Sequence, residues 1–443
     1  MHDTTDTSPN PSSRRLRIAY MMSRFPKLTE TFILHEMVAM ERLGVDVDVY
    51  PLWRERAAVT HPEARRFVER ANFQRSFSLA VLGANCRLLL RHPRKYFRTL
   101  SAVLRGTRGS LRFFIGALAI FPKAVFFATR MEATGVAHVH AHFASHPTVA
   151  AIVIRRLVGI PYSFTAHGSD LHRDQRMLGQ KIAEAAFAVT ISDYNRKVMM
   201  ATCERDGDRG KVRIVHCGVD TRLFQRRSTA ADERTVPFTI FCVGTLHEVK
   251  GQTFLIKACE RLVESGIDVS LHLIGDGPDR QSLSAQAAEA KMADRVKFHG
   301  NKTHREVAEL LKGAHVVAAP SVPTRDGRRE GIPVALMEAM SCGVPVVASR
   351  LSGIPELVAD EQSGLLVPPG DAGALAQALE RLHNDAGLRQ RLGEAARQKV
   401  LQEFDLFKNA AALAALFKSV ATRRGNTFLR LPAAVNAQAE RAL

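Results

Sequence analysis

Between Glu69 and Glu132 the sequence holds no aspartate and no glutamate. The same 62 residues hold 12 lysines and arginines, so 12 of the net 18 positive charges lie in about a seventh of the 443-residue chain. The other 381 residues carry a net charge of only +6. This excludes a uniformly basic surface. Cysteine is also scarce: the six residues include no C-x-x-C pair. A chain this long needs no disulfide staples, so they read as reduced thiols of a cytosolic protein. The polar Pro/Ser-rich stretch from Met1 to Ser13 lacks the apolar core of a signal peptide and reads as a flexible N-terminus. No apolar run reaches the roughly 20 residues of a spanning helix. The longest, Phe113 to Ala128, is about 16 residues and contains Gly116, Pro122 and Lys123. There is no H-E-x-x-H, no Walker A and no G-x-S-x-G. Hydrophobic residues make up 46%, which excludes wholesale disorder.

The acid-free stretch has a helical period. Tyr96, Phe97, Leu100, Val103 and Leu104 share one face, while Arg94, Arg98, Ser101 and Arg105 share another. Phe114, Leu118, Phe121 and Val125 continue an apolar stripe. Three readings follow. The stretch is a solvated basic face on core-packed helices, an amphipathic element on anionic headgroups, or a nucleic-acid surface. The third lacks any helix-turn-helix, RNP or zinc-finger pattern, and no nucleic-acid partner is expected.

Apolar β-rich runs alternate with helical patterns along the whole chain. Strands are expected at Leu16–Met22, Val45–Leu52, His138–Phe143, Tyr162–Ala166, Ala188–Ser192 and Val212–His216. In the second half they are expected at Phe238–Val243, Val269–Ile274, Val296–Phe298, Val316–Pro320, Val344–Ala348 and Leu365–Val367. Strands spaced by helix-length patterns mean βαβ units and parallel sheets. The α/β chain therefore divides into two doubly wound, Rossmann-like domains, 14–225 and 237–405, with the basic insert at about 70–131 in the first. Polar, aperiodic residues 226–236 are the linker, and residues 422–443 form a tail with little core pattern. Ligands of such sheets bind at the carboxyl ends of the strands, so the cleft between the domains is the expected site.

The strongest chemical signal is REGIPVALMEAMSCGVPVVAS, where Glu330 and Glu338 bracket a Gly-x-Pro turn. A helix starting near Pro333 or Val334 places the free amides of Gly331 and Ile332 at a positive helix end, which suits a phosphate or sugar hydroxyls. Glu338 is an acceptor suited to a vicinal diol. In FCVGTLHEVKG, Lys250 stands at a helix start beside glycines, a pyrophosphate-binding arrangement. LHLIGDGP is good turn chemistry and says little more. In FTAHGSD, His167 ends a strand just before a glycine, where a catalytic or substrate-orienting histidine sits. His138, His140 and His142 alternate on one strand face without a nearby carboxylate or thiolate pattern, and no metal is expected.

Together these segments resemble the GT-B glycosyltransferases of family 4, the retaining, nucleotide-sugar-dependent group. The resemblance runs from about Arg14 to about Phe417 and is most specific in EGIPVALMEAMSCGVPVVAS, SGIPELV and SGLLVPPGD. SRFPKLTETFILHEM, HVHAHFA, FTAHGSD, TISDYN and HCGVD resemble the branch that builds exopolysaccharides such as colanic acid. The resemblance implies a GT-B fold, with a final helix at 406–421 crossing back to the first domain. It implies that Glu338 binds the ribose and that Glu330 and the Gly331, Ile332, Pro333 and Val334 backbone hold the sugar and phosphates. Lys250 neutralises the leaving diphosphate, and His167 contacts the sugar. Gly244 and Thr245 form the phosphate loop. Thr245 replaces the family's common arginine, and Arg24, Arg325, Arg328 or Arg329 is the candidate replacement. SRFPKLTE stands where many relatives have Gly-Gly, leaving Arg24, Lys27 and Glu30 as candidate acceptor contacts.

The implied activity is transfer of a hexose from a UDP- or GDP-sugar, without cofactor or metal, to a saccharide acceptor expected to be lipid-linked. The expected setting is exopolysaccharide or lipopolysaccharide synthesis, in the cytoplasm, peripheral to an anionic inner membrane face. A GT-B transferase with a soluble acceptor and an inactive nucleotide-sugar-binding protein are the alternatives. Thr245 is the hint of the latter.

Overall fold

A computed structural model describes residues 15–27, 30–55, 63–226 and 237–423. The expected N-terminus, the linker beyond Arg226 and the tail beyond residue 423 lie outside the described residues. The twelve expected strands are all present, with ends displaced by three residues at most. They are β1 (Leu16–Phe25), β2 (Val45–Arg54), β3 (His138–His142), β4 (Tyr162–Ala166), β5 (Phe187–Thr190), β6 (Val212–Ile214), β7 (Phe238–Val243), β8 (Val269–Ile274), β9 (Val296–Gly300), β10 (Val316–Ala319), β11 (Val346–Ser349) and β12 (Leu365–Val367).

They form two parallel six-stranded sheets, ordered β2-β1-β3-β4-β5-β6 and β12-β11-β10-β7-β8-β9. Helices cover both faces, so strands such as β4 and β5 are buried along their whole length. The order reverses beside the first strand of each sheet, where a doubly wound fold opens a crevice.

The alternating histidines follow from strand register. His140 pairs with Ser163 and His142 with Thr165 across β3 and β4. His138 Nε2 lies 2.7 Å from Ser163 Oγ, and His140 reaches Ser163 Oγ at 2.8 Å and Thr165 Oγ1 at 2.9 Å. The hydroxyls give the buried His138 and His140 rings hydrogen-bond partners, which lowers the cost of burying them.

The last helix, Leu406–Arg423, closes this face. Its Phe417 ring lies 5.4 Å from His138 and 5.1 Å from His140. Leu406, Leu413 and Phe417 share an apolar cluster with Leu34 and Met37 of the Thr31–Arg42 helix. The crossing-back helix thus packs on the first domain. Where it leaves the second, Val219 N–H donates to Phe404 O at 2.9 Å, and Leu406 N–H donates to Val219 O at 3.1 Å.

The acid-free stretch is the long crossover between β2 and β3. It folds into Leu79–Arg91, Pro93–Gly106 and Leu111–Ala133. Ser78 caps the first helix through Val81 N–H, and Ser110 caps the third through Phe113 N–H, both at 3.3 Å. The third helix is long and apolar enough to cross a membrane by length and composition, but half of its most apolar stretch is buried. Ala117, Ile120, Ala124, Phe127 and Met131 face the core, and Lys123 is buried with its ammonium donating to Leu52 O. The apolar stripe expected here is rotated: Phe121 and Val125 are buried, whereas Leu118 points to solvent. All six cysteines are free thiols.

Candidate functional site

The loops at the carboxyl ends of both sheets enclose a cleft of about 560 Å³. On the second domain's side, β7 runs into Gly244 and Thr245, and the turn Glu248–Lys250 follows. Gly251, at φ 68°, ends that turn, and a Cβ there would stand 1.9 Å from Pro320 O. Only glycine lets the Lys250 loop pack this closely on the end of β10.

Opposite lies the Val334–Ser341 helix, with Pro333 as its N-cap. Its start is the one the Gly-x-Pro turn forecast. Glu330 precedes it and Glu338 lies inside it, buried. Both carboxylates hold cations of the chain itself. Glu330 is 2.7 Å from Lys250 Nζ, and Glu338 is 2.9 Å from His304 Nδ1. Burial opposes charge on His304, but Glu338 outweighs it, and the imidazole pKa is raised. His304 Nε2 also lies 2.9 Å from Thr31 Oγ1 of the first domain.

The first domain contributes His167, Lys27 and Glu30 to the cleft. Asp170 fixes the His167 loop by accepting from the amides of Ala144, His167 and Gly168 at 2.6, 3.0 and 2.9 Å. The His167 ring is wedged between Phe32 and Phe143, with centroids 4.7 and 4.8 Å away. Its Nε2 lies 3.2 Å from His142 Nδ1, and its Nδ1 lies 3.8 Å from Cys217 Sγ. Burial first, and His142 second, hold its pKa well below the usual range. The imidazole is therefore neutral near pH 7, with its two nitrogens turned to His142 and Cys217.

The domains touch through glycine. A Cβ on Gly331 would stand 2.5 Å from His167 O, and a Cβ on Gly168 would stand 3.3 Å from Gly331 Cα. Glu356 of the second domain accepts from the amides of Asp193 and Tyr194 at 2.6 and 2.8 Å, capping a first-domain helix. These contacts hold the cleft walls together.

Lys250, Glu330, Glu338, His167, Gly244, Thr245, Gly331, Ile332, Val334, Lys27 and Glu30 all line the cleft. Pro333 and Arg24 do not. Pro333 is used for its cap geometry. Arg24 turns outward and pairs with Glu55 at 3.4 Å. Of the candidate cations near the Thr245 gap, Arg328 and Arg329 line the cleft and Arg325 does not. Arg328 lies 3.2 Å from His247 Nε2, in the Lys250 loop.

His304 and Lys302 were not read from the sequence. Their only local signal is the capping box of Thr303 and Glu306, which marks a helix start after β9. Among the described residues one trio, Glu36, His140 and His142, is close enough for a metal. Both His140 nitrogens are already taken by hydroxyls, so the trio is a structural hydrogen-bond cluster.

Residues 224–399 match the family model described as glycosyl transferases group 1. The cleft's second-domain residues all fall within that match. The chain is 28% identical over 408 residues to the putative colanic acid biosynthesis glycosyltransferase WcaL of Escherichia coli (strain K12), covering 88% of this chain and 96% of the relative. It is 28% identical over 404 residues to the amylovoran biosynthesis glycosyltransferase AmsK of Erwinia amylovora, covering 88% and 96%. HepE of Anabaena, solved in complex with UDP, superposes with a TM-score of 0.66 at 17% identity, covering 91% of this chain and 100% of that one. The chain has the GT-B fold. Its group 1 domain and its relatives support a glycosyltransferase of the exopolysaccharide branch.

Proposed function

We propose that the protein transfers a hexose, with retention, from a UDP- or GDP-sugar to a lipid-linked saccharide. The reaction belongs to exopolysaccharide or lipopolysaccharide synthesis, in the cytoplasm at the inner face of the membrane. The observation that carries this reading is the convergence of Lys250, Glu330 and Glu338 on one cleft between two facing parallel sheets. The names of the relatives, colanic acid and amylovoran glycosyltransferases, and the UDP bound to HepE support the substrate class.

In this reading Glu338 accepts the ribose hydroxyls. Glu330 and the backbone from Gly331 to Val334 hold the sugar and the phosphates. Departure of the nucleoside diphosphate concentrates negative charge, which Lys250 and the free amides at the Val334 helix start stabilise. Arg328, beside the Lys250 loop, supplies the second cation that Thr245 lacks. Neutral His167 contacts the sugar, and Lys27 and Glu30 meet the acceptor. Among the described residues four carboxylates line the cleft, Glu30, Glu306, Glu330 and Glu338, and they are engaged by Lys27, Thr303, Lys250 and His304. We take the departure to be front-face, with Glu330 holding the sugar rather than attacking it. Donor and acceptor come from different domains, so closure orients them.

The test is transfer from candidate donors by purified Lys250→Ala and Glu338→Ala. Both are expected to lose most activity, and near-wild-type transfer by both contradicts the donor site.

A further inference from the structure

Nine large apolar side chains stand exposed among the described residues, and eight of them lie between Phe77 and Leu118. The ninth, Trp53, stacks on Lys123 of the same segment, with Nζ 4.5 Å from the ring centre. Leu79, Leu90 and Leu111 are 88%, 82% and 75% exposed. They do not fall at random. On a helix turning about 100° per residue, Leu79, Leu82, Cys86 and Leu90 lie within about 80° of one another. They stand opposite the buried Val81, Ala84 and Leu88. Leu111, Ile115 and Leu118 lie within about 60° on their helix, opposite the buried Phe113, Ala117 and Ile120. Each helix therefore has one apolar face in the core and a second in water. Exposed apolar side chains aligned in stripes, rather than scattered singly, mark an interaction site.

Charge selects the partner. These two helices carry Arg87, Arg91 and Arg112, and the Pro93–Gly106 helix between them carries Arg94, Arg98 and Arg105; all six are exposed, and none is ion-paired to a carboxylate among the described residues. Cations flanking apolar side chains, with no acid in 62 residues, complement an anionic, apolar interface. Nucleic acid would use the cations but leave the leucines in water.

The face is tied to the cleft. Arg176, in the loop that follows the His167 turn, donates to Arg108 O at 3.2 Å and Gly109 O at 2.9 Å. His146 Nε2 lies 3.3 Å from Phe113 O. The Leu111–Leu118 stripe thus starts beside the carboxyl ends of β3 and β4, where the first domain meets the cleft.

We propose that Leu79, Leu82, Leu90, Leu111, Ile115 and Leu118, with the surrounding arginines, dock the first domain on an anionic lipid bilayer. The leucines enter the acyl boundary, and the guanidinium groups remain at the phosphates. That this brings a lipid-linked acceptor to the cleft rests on the proposed transferase reading; the docking itself does not.

The test is co-sedimentation of the full chain, at physiological salt, with phosphatidylcholine vesicles with and without phosphatidylglycerol. Wild type is expected to pellet with the anionic vesicles only. Leu79→Ser/Leu90→Ser/Leu111→Ser is expected to lose more than about tenfold in partition, with its melting temperature and its thermal shift by nucleotide sugars unchanged. Arg91→Glu/Arg94→Glu/Arg98→Glu is expected to lose the preference for anionic lipid. A wild type that ignores both vesicles, binds both equally, or binds duplex DNA but no vesicle overturns the proposal, as does a leucine variant that binds like wild type. Vesicle binding needs neither donor nor acceptor, so its failure leaves sugar transfer intact and removes only the membrane setting. Lost transfer with intact docking condemns only that reading.

Discussion

Lys250 Nζ stands 2.7 Å from a Glu330 carboxylate oxygen, joining the loop after β7 to the loop before the Val334–Ser341 helix. In the cleft the two charges compensate each other. In the proposed reading, a bound diphosphate competes for Lys250 and leaves Glu330 to the sugar. Lys250→Ala is expected to lower kcat/KM by about 10²–10³. Glu330→Gln releases Lys250, so nucleoside diphosphate is expected to bind at least as tightly as to wild type while transfer falls. Calorimetric titration and steady-state rates separate the two effects. Unaltered turnover by Glu330→Gln contradicts its role.

His304 makes stability depend on pH. Its pKa is raised above the ordinary 6.5, because Glu338 outweighs the burial that opposes charge. The stabilisation by charged His304 is complete below the unfolded value and is lost as pH rises through the raised folded value. The melting temperature of wild type is therefore expected to fall, relative to His304→Gln, across the near-neutral window above pH 6.5. Parallel melting curves for both proteins across that window contradict the pairing.

Gly331 is a steric gauge of domain contact. Alanine there brings a Cβ within 2.5 Å of His167 O, which is backbone and cannot rotate away. Gly331→Ala is expected to lower transfer more than about tenfold while costing about 1–3 kcal/mol of stability. Gly313→Ala meets only Leu310 O, at 3.7 Å, and is expected to change neither. Full activity in Gly331→Ala contradicts closure through this contact.

Glu356 fastens one domain to the other by accepting from the Asp193 and Tyr194 amides. Glu356→Ala removes a charged helix cap worth about 1–2 kcal/mol. Small-angle scattering is expected to show a larger radius of gyration for the variant without ligand. Identical scattering curves contradict a fastening role.

Strand positions were legible because parallel strands buried on both faces are continuous apolar runs. The Val334–Ser341 helix was legible because a Gly-x-Pro turn can start a helix but not continue one. The partners of the site residues were not legible. His304 meets Thr31 across 273 residues, and no local pattern encodes that contact. The outward turn of Arg24 depends on Glu55, at the end of the neighbouring strand. The His138–His142 alternation was legible as one strand face, but its hydroxyl partners Ser163 and Thr165 come from the β3–β4 register, which no local pattern encodes. The apolar stripe of the Leu111–Ala133 helix was misplaced because that helix has apolar residues on two faces, and periodicity alone does not say which one is buried.

The most direct test of the central claim is calorimetric titration of UDP- and GDP-sugars into the wild type, Lys250→Ala and Glu338→Ala. The expected result is saturable binding of at least one nucleotide sugar by wild type, weakened more than about tenfold in each variant by loss of charge-assisted contacts. Wild type that binds no nucleotide sugar, or variants that bind as tightly as wild type, would contradict it.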